Sequence, residues 1–493
     1  MKVLVTNPPW PGPGYGARSD VRWPHKRSDK FIEYPIYLAY VVAVLEKAGI
    51  KVEFIDAVVE EFSIADFADA AAKISPDMVV IECSTPSIKY DLLTAKSLKK
   101  RMSNVFIVLI GSHPTFFHRE IMKENPAVDA ICRGEFDLTV KDLAVALSNG
   151  DKLDKVKGIT YRDGQRIQEN EERPLIKNVD ELPFPARHIV KSKYYRQGTF
   201  TGKRCTTVVS SRGCPHRCTY CLWPRTLYGN RFRARSAENV VAEIEQLVKE
   251  FHVDEIYFDD DSLALNRARI LRICQLINQK NIKVKWIPQC RVDSMDEEVI
   301  SAMKRAGCHY IRFGVESGSQ KILDAMKKGT TLAQIRRAFD LCRKAGIKTQ
   351  AFFLFGIPGE TNQTIKETIK FAKRLRPDSA QFAVVIPHPG TALYEICQRE
   401  GWLKYNDWED FAACNSLIET PQLSRQDVEK ARVRAYRQFY FRPSYILRTA
   451  LKIHSWHDFK AVLKSAGSIV ERILFFSRSS RSLMKADCKE GLI

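Results

Sequence analysis

Residues 210–222 read SSRGCPHRCTYCL, with Cys214, Cys218 and Cys221 at C-x3-C-x2-C spacing and no fourth cysteine close by. Thiolates are the soft ligands of iron–sulfur clusters, and a compact loop brings three of them to one cluster with little chain ordering. Three thiolates suit a 4Fe-4S cubane with one iron left open to a ligand. Zinc is the competing reading, but it wants four ligands, from paired C-x2-C knuckles or a cysteine and histidine mixture. His216 lies inside the triplet with neighbours that point it away from the loop's interior, and no second knuckle follows. The other cysteines, among them Cys274, Cys342 and Cys397, sit singly in apolar stretches and read as buried small hydrophobes.

The triplet follows the first of six strand candidates, Thr206–Ser210, Glu255–Phe258, Lys283–Ile287, Tyr310–Gly314, Thr349–Phe355 and Gln381–Ile386, which helical stretches separate. Six βα units predict a partial (β/α)6 TIM barrel with its functional loops at the carboxyl ends of the strands. FDDDSL follows the second strand, QCRVD the third, GVESG the fourth and FGIPGET the fifth.

Upstream, residues 1–147 alternate β-branched runs with amphipathic stretches: KVLVT, YPIYLAYVVAVLEKAG, KVEFIDA, a helix over 63–74, MVVIEC, a helix over 89–102, VFIVLIG and DAICRG. This pattern predicts an α/β domain with a doubly wound parallel sheet. Its strand-end loops are Asn7–Trp10, Ser84–Ser87, Gly111–Thr115 and Arg133–Glu135, and none carries the G-x-G-x-x-G of a dinucleotide site. Residues 148–200 read as a hairpin around an Asp-Gly turn and then a proline-containing linker. The barrel is assigned to 201–420 and a basic amphipathic helical tail to 421–493.

A chain of 493 residues, 45% hydrophobic and 28% charged, has the composition of a folded protein with two or three domains. No apolar run is long enough to span a membrane, and the amino terminus opens as a strand without the regions of a signal peptide. Reduced cysteines and this start predict a cytoplasmic protein. Lys and Arg exceed Asp and Glu by 78 to 58, a net charge of +20 that attracts acidic partners or is simply a solvated basic surface.

With Tyr220 before its last cysteine, the triplet resembles the signature of the radical S-adenosylmethionine superfamily. NPPW, YPIYLAYVVAVLEKAG, CSTPS, GSHPT and CRGEFD resemble the cobalamin-binding-like domain that precedes the barrel in one large subfamily, which includes anaerobic magnesium-protoporphyrin cyclase and hopanoid and archaeal lipid enzymes. The resemblance implies a 4Fe-4S cluster whose open iron chelates S-adenosylmethionine, reductive cleavage to a 5′-deoxyadenosyl radical, cobalamin, and a flavodoxin or ferredoxin-type electron donor. One departure stands out: the D-x-H-x-x-G loop that supplies a cobalt-ligating histidine is absent, although His113 and His118 follow a strand end. The domain alternatively only shapes the substrate cavity.

For the cofactor, Glu316 and the acidic cluster Asp259, Asp260 and Asp261 are candidate acceptors for ribose hydroxyls or the amino group, and Arg291 is a candidate fork for the carboxylate. Gly356 and Gly359, with Ile357 and Pro358 between them, allow close backbone approach to adenine. By resemblance, Tyr220, Glu316 with Ser317, and Gly356–Gly359 flank the S-adenosylmethionine. Helix capping by Glu316 or Asp260, and an Arg291–Asp293 ion pair, are the plain alternatives. FDDD stands where the superfamily commonly has G-G-E, which leaves the amino-group ligand open.

The tail interleaves Tyr440, Phe441, Ile446, Leu447 and Leu451 with Arg442, Arg448 and Lys452, a pattern fitting either the interface of an anionic membrane or packing on the barrel. The expected enzyme modifies a hydrophobic, lipid-like substrate by methylation or by ring or carbon–carbon chemistry. A cobalamin-free radical enzyme, an RNA-modifying protein and a non-catalytic cluster scaffold are the competing readings. No RNA-binding module supports the second of these, so nucleic acid is not an expected partner.

Overall fold

The computed structural model describes residues 1–12, 15–17, 25–27, 34–189, 204–412 and 415–451, with a few helical positions between 463 and 473. Two sheets carry the fold. In the first, β1 (Lys2–Asn7), β2 (Lys51–Asp56), β3 (Met78–Glu82), β4 (Phe106–Ile110) and β5 (Ala130–Cys132) run parallel in the order β2-β1-β3-β4-β5. The chain reverses direction across the sheet between β1 and β3, the switch point where such sheets bind ligands.

Strand alternation decides the layers. Val3 and Val5 of β1 point to one core with the helices Ile36–Lys47 and Asp137–Asn149, and Leu4 points to the other with Ile64–Ile74 and Ile88–Arg101. Ser63 caps Ile64–Ile74 in a reciprocal box with Asp66, and Gly49 takes φ +76° just beyond Ile36–Lys47. Ile36 to Leu45 are buried all round because this helix is sandwiched between its own sheet and the barrel: Tyr37 and Tyr40 hydroxyls reach Asp259 and the Val209 carbonyl.

The expected hairpin forms as β6 (Ile159–Asp163) and β7 (Arg166–Glu169), but it is not a separate module. It pairs antiparallel with β5 and extends the first sheet to seven strands, covering an edge that would otherwise be exposed.

The second sheet is the predicted barrel: β8 (Cys205–Val208), β9 (Glu255–Phe258), β10 (Lys285–Cys290), β11 (Tyr310–Glu316), β12 (Lys348–Phe355) and β13 (Ser379–Val384), all parallel and in sequential order. It stays open at β13. There the helix Arg425–Tyr440 closes the edge: the Tyr440 hydroxyl accepts from the Ala380 amide at 2.9 Å and donates to the Ala380 carbonyl at 2.7 Å. This half of the expected amphipathic tail therefore packs on the barrel, with Val428, Ala435 and Phe439 in its core. The next helix, Pro443–Ala450, differs: Ile446, Leu447 and nearby Leu451 are 52%, 62% and 69% exposed.

The two sheets lock through buried charge. Arg212, just past β8, donates to Glu135 at 2.9 Å and to Asp137 at 2.6 Å, both beyond β5, and Arg233 donates to Glu135 at 2.8 Å. The Arg133–Glu135 segment, expected as a ligand loop, is thus the joint between the sheets.

Candidate cluster and cofactor site

The cysteine loop is held in the barrel mouth by its backbone. Ser211–Arg212 pairs with Arg233–Ala234, and Gly213 turns the chain at φ +79°, where a Cβ would lie 2.4 Å from the Arg231 carbonyl oxygen. Further along, the Thr219 amide donates to the Met326 carbonyl and its carbonyl accepts from the Leu393 amide, each at 2.9 Å. Cys214 and Cys218 are 9% exposed and Cys221 is half-buried, and none of the three is in a disulfide. Burial first, and the Asp261 charge second, push the Cys214 thiol up to about 11, so its thiolate needs a compensating cation.

Thiolates on a cubane each take a separate iron, and three cysteines on one loop meet that need. The donor set fits a cluster. His216 is half-buried, and its imidazole is lowered by burial and then by Arg291.

Glu316 ends β11 at φ +66°, and its Oε1 receives Lys328 Nζ at 2.8 Å; Lys328 also reaches the Tyr220 hydroxyl at 3.3 Å. Gly314 makes room for this pair, since a Cβ there would sit 2.4 Å from the Glu316 oxygen. Burial and the Glu316 carboxylate hold Tyr220 well above the usual phenol range. Tyr220 also packs against the apolar cluster that contains Ile357, Ile322 and Met326, so the GIPG turn and the cysteine loop border one apolar wall. Gly356 and Gly359 both have φ near +88° (+88° and +87°), and a Cβ on Gly359 would meet nothing within 4 Å, which leaves that backbone open. Pro358 is half-buried beside it.

Three expected contacts point elsewhere. Asp260 is fully buried and accepts from the Ser210 and Ser211 hydroxyls behind the mouth; Asp261, its neighbour, is the carboxylate near Cys214. Ser317 bonds Thr368 on the outer helix Asn362–Leu375. Arg291 spends its fork on Asp293, at 3.0 and 2.8 Å, and on the Lys328 carbonyl. Sequence reading missed Lys328, which stands in no motif. Thr361 is the cap of Asn362–Leu375; Glu360 is buried, accepts from the Gly356 amide at 2.7 Å, and is pushed up to about 8 by burial.

At the first sheet's mouth, Asn7 bonds Asp56 and Ser87 bonds Asp91, each at 2.9 Å, so these carboxylates serve the turns themselves. Gly111 at φ +117° lets the chain pass where a Cβ would be 2.2 Å from the Cys83 carbonyl oxygen. His118 turns to Thr160 of the hairpin, whereas His113 faces the barrel, its Nδ1 3.3 Å from the Thr85 hydroxyl. Near it stands His388, beyond β13, whose two ring nitrogens have no hydrogen-bond partner among the described residues. An unmade buried bond costs about 1–3 kcal/mol. Such orphaned atoms fit a ligand held between the sheets, as cobalamin would be.

Residues 26–144 match the B12 binding domain family and residues 208–372 the Radical SAM superfamily. An uncharacterised methyltransferase of Pyrococcus horikoshii is 35% identical over 86% of this chain and 91% of its own length. This chain belongs to the radical S-adenosylmethionine superfamily, in the branch with a B12 binding domain. The anaerobic magnesium-protoporphyrin IX monomethyl ester cyclase of Cereibacter sphaeroides is 30% identical over 83% of this radical S-adenosylmethionine enzyme and 67% of its own chain. The cobalamin-dependent radical enzyme OxsB, solved with aqua-cobalamin and S-adenosylmethionine, shares the fold at TM-score 0.71 and 19% identity, over 99% of this chain and 75% of its own. TsrM, a radical S-adenosylmethionine methyltransferase of Kitasatospora setae solved with cobalamin and a [4Fe-4S] cluster, aligns at TM-score 0.65 and 18% identity, over 82% of this chain and 76% of its own.

Proposed function

We propose that this enzyme binds a 4Fe-4S cluster, S-adenosylmethionine and cobalamin, and methylates a carbon of a hydrophobic, lipid-like substrate. The observation that carries the reading is that the barrel's Gly390 turn packs against both the helix after the cysteine loop and the first sheet's β4 end, a Cβ there lying 2.7 Å from Thr226 and 3.3 Å from Phe116, which brings the two sets of strand ends together. Cys214, Cys218 and Cys221 hold the cluster. Tyr220 and Ile357 supply the apolar wall for adenosine, Gly356–Gly359 the backbone approach, and the Glu316–Lys328 pair meets the ribose and carboxylate. Asp261, rather than Asp260, is placed to receive the amino group. Arg291 positions the Lys328 loop. When bound, the cluster supplies the electron that cleaves S-adenosylmethionine, and cobalamin supplies a methyl carrier. Methyl transfer is preferred to ring chemistry because the 35% relative is called a methyltransferase.

The working division takes the hairpin 159–169 with the first sheet and the helix Arg425–Tyr440 with the barrel, with a flavodoxin or ferredoxin-type donor external to both. Among the described residues no helix is long and apolar enough to cross a membrane. Exposed Ile446, Leu447 and Leu451 beside Arg442 and Arg448 support peripheral contact with an anionic membrane surface.

Anaerobic protein from cells given cobalamin should contain about four irons and about one cobalt. It should also release 5′-deoxyadenosine or S-adenosylhomocysteine under reducing conditions. Four irons without cobalt would return the first domain to a merely structural part, and no cleavage of S-adenosylmethionine would overturn the catalytic reading.

A further inference from the structure

His388 and His113 come from different sheets and meet where both end. His388 follows β13, and its turn is fixed: its carbonyl accepts from the Thr391 amide at 3.1 Å and hydroxyl at 2.7 Å. Gly390 in that turn stands so close to Thr226 and Phe116 that a Cβ would lie 2.7 and 3.3 Å from them. The turn is therefore wedged between the helix that follows the cysteine loop and the first sheet's β4 end. His113 lies in that β4 end, between Phe117 at 4.8 Å and Trp408 edge-on at 5.0 Å; Phe411 stands 6.2 Å from His388.

Both imidazoles are almost fully buried, at 3% exposure for His113 and 4% for His388. Burial, and then the nearness of His388, hold His113 down to about 3, while burial alone holds His388 down to about 4. At neutral pH each ring is uncharged, with one nitrogen donating and one accepting. Among the described residues no charged side chain balances either ring, and the surrounding wall is aromatic. The complement is an uncharged group that accepts and donates at once, on a large apolar body. A primary amide is such a group, and cobalamin carries several around the rim of its apolar ring.

We propose that His388, with His113 opposite it, binds the amide rim of cobalamin, so that the barrel as well as the first domain holds the cofactor. This rests on the cobalamin reading above. Both imidazoles act as hydrogen-bonding groups between the sheets and not as cobalt ligands.

The test is equilibrium binding of hydroxocobalamin to the anaerobically purified full chain, measured for wild type, His388→Phe and His388→Gln beside iron content and the apoprotein's melting temperature. Expected is a loss of affinity of about tenfold or more in His388→Phe. Its iron content should be unchanged and its melting temperature unchanged or higher, because an orphaned polar ring has been removed. His388→Gln, which keeps a donor and an acceptor, should stay within about threefold of wild type. Equal affinity in all three proteins overturns the assignment while leaving the cobalamin reading intact. A lowered melting temperature in His388→Phe with unaltered affinity makes His388 a packing residue and likewise overturns it. Wild type that binds no hydroxocobalamin defeats both.

Discussion

The two mouths that face each other are built differently. Around the cysteine loop the named charges are matched inside the barrel, Glu316 with Lys328 and Arg291 with Asp293, and the loop is clipped by main-chain bonds at Thr219. At the first sheet's mouth Asp56 and Asp91 are spent within their own turns, Glu135 is drawn off to the joint, and the histidines are uncharged. A mouth lined with paired charges is prepared for a small zwitterion whose own charges can exchange with them. A mouth of neutral donors and aromatic rings suits something larger and uncharged.

The sharpest way to break the contrast is to remove a thiol. Cys218→Ala should lose most of the iron and the brown absorbance with the fold retained by circular dichroism; full iron content would sink the cluster assignment. Next comes the joint. Arg212→Met leaves Asp137 without this partner and should cost about 3–5 kcal/mol in urea unfolding, as one-sided loss of a buried ion pair does; a change under about 1 kcal/mol would mean the two sheets do not depend on it.

A finer cut compares two glycines in the barrel mouth. Gly314→Ala drives a methyl into the Glu316–Lys328 pair and should weaken S-adenosylhomocysteine binding by about 1–3 kcal/mol, or roughly five- to 150-fold. Gly359→Ala meets only the strain of its positive φ and should cost about 1 kcal/mol. Equal effects by calorimetry would show that the pair is not part of the binding surface.

The last prediction concerns pH. Glu360 rises from an ordinary value of 4.5 to about 8 through burial. Below about 4.5 it is protonated whether the chain is folded or not, and stability is unaffected. Between about 4.5 and 8 the unfolded chain ionises first, so stability should fall as pH rises, by at most about 1.4 kcal/mol per unit, and level off above 8. Glu360→Gln should flatten that slope; a slope identical to wild type would assign it to other groups.

The fold was largely legible because hydrophobic alternation reports sheets directly: Glu255–Phe258 lies where the pattern put it, and the helix expected over 63–74 runs Ile64–Ile74. Membership of the hairpin was not legible, since two antiparallel strands after a turn do not say which edge they join. At the site, glycines and cysteines were readable because they answer local demands: Gly356 and Gly359 take left-handed backbone, and the triplet shares one loop. Side-chain direction was not. Asp260 and Asp261 are adjacent, yet one faces inward to Ser210 and the other toward Cys214, and Lys328 reaches Glu316 only because a helix brings it back. His388 gave no signal at all, for what distinguishes it is the lack of a hydrogen-bond partner among the described residues, a property of the folded surroundings alone.

Arg212 stands two residues before the first cluster cysteine and Arg233 closes the ribbon behind it, yet both complete their ion pairs on the other sheet. The two regions therefore make a single unit of exchange. Moving this barrel to a new partner domain would bury two guanidinium groups beside whatever that domain happened to offer, and the graft would succeed only if an acidic pair travelled with it.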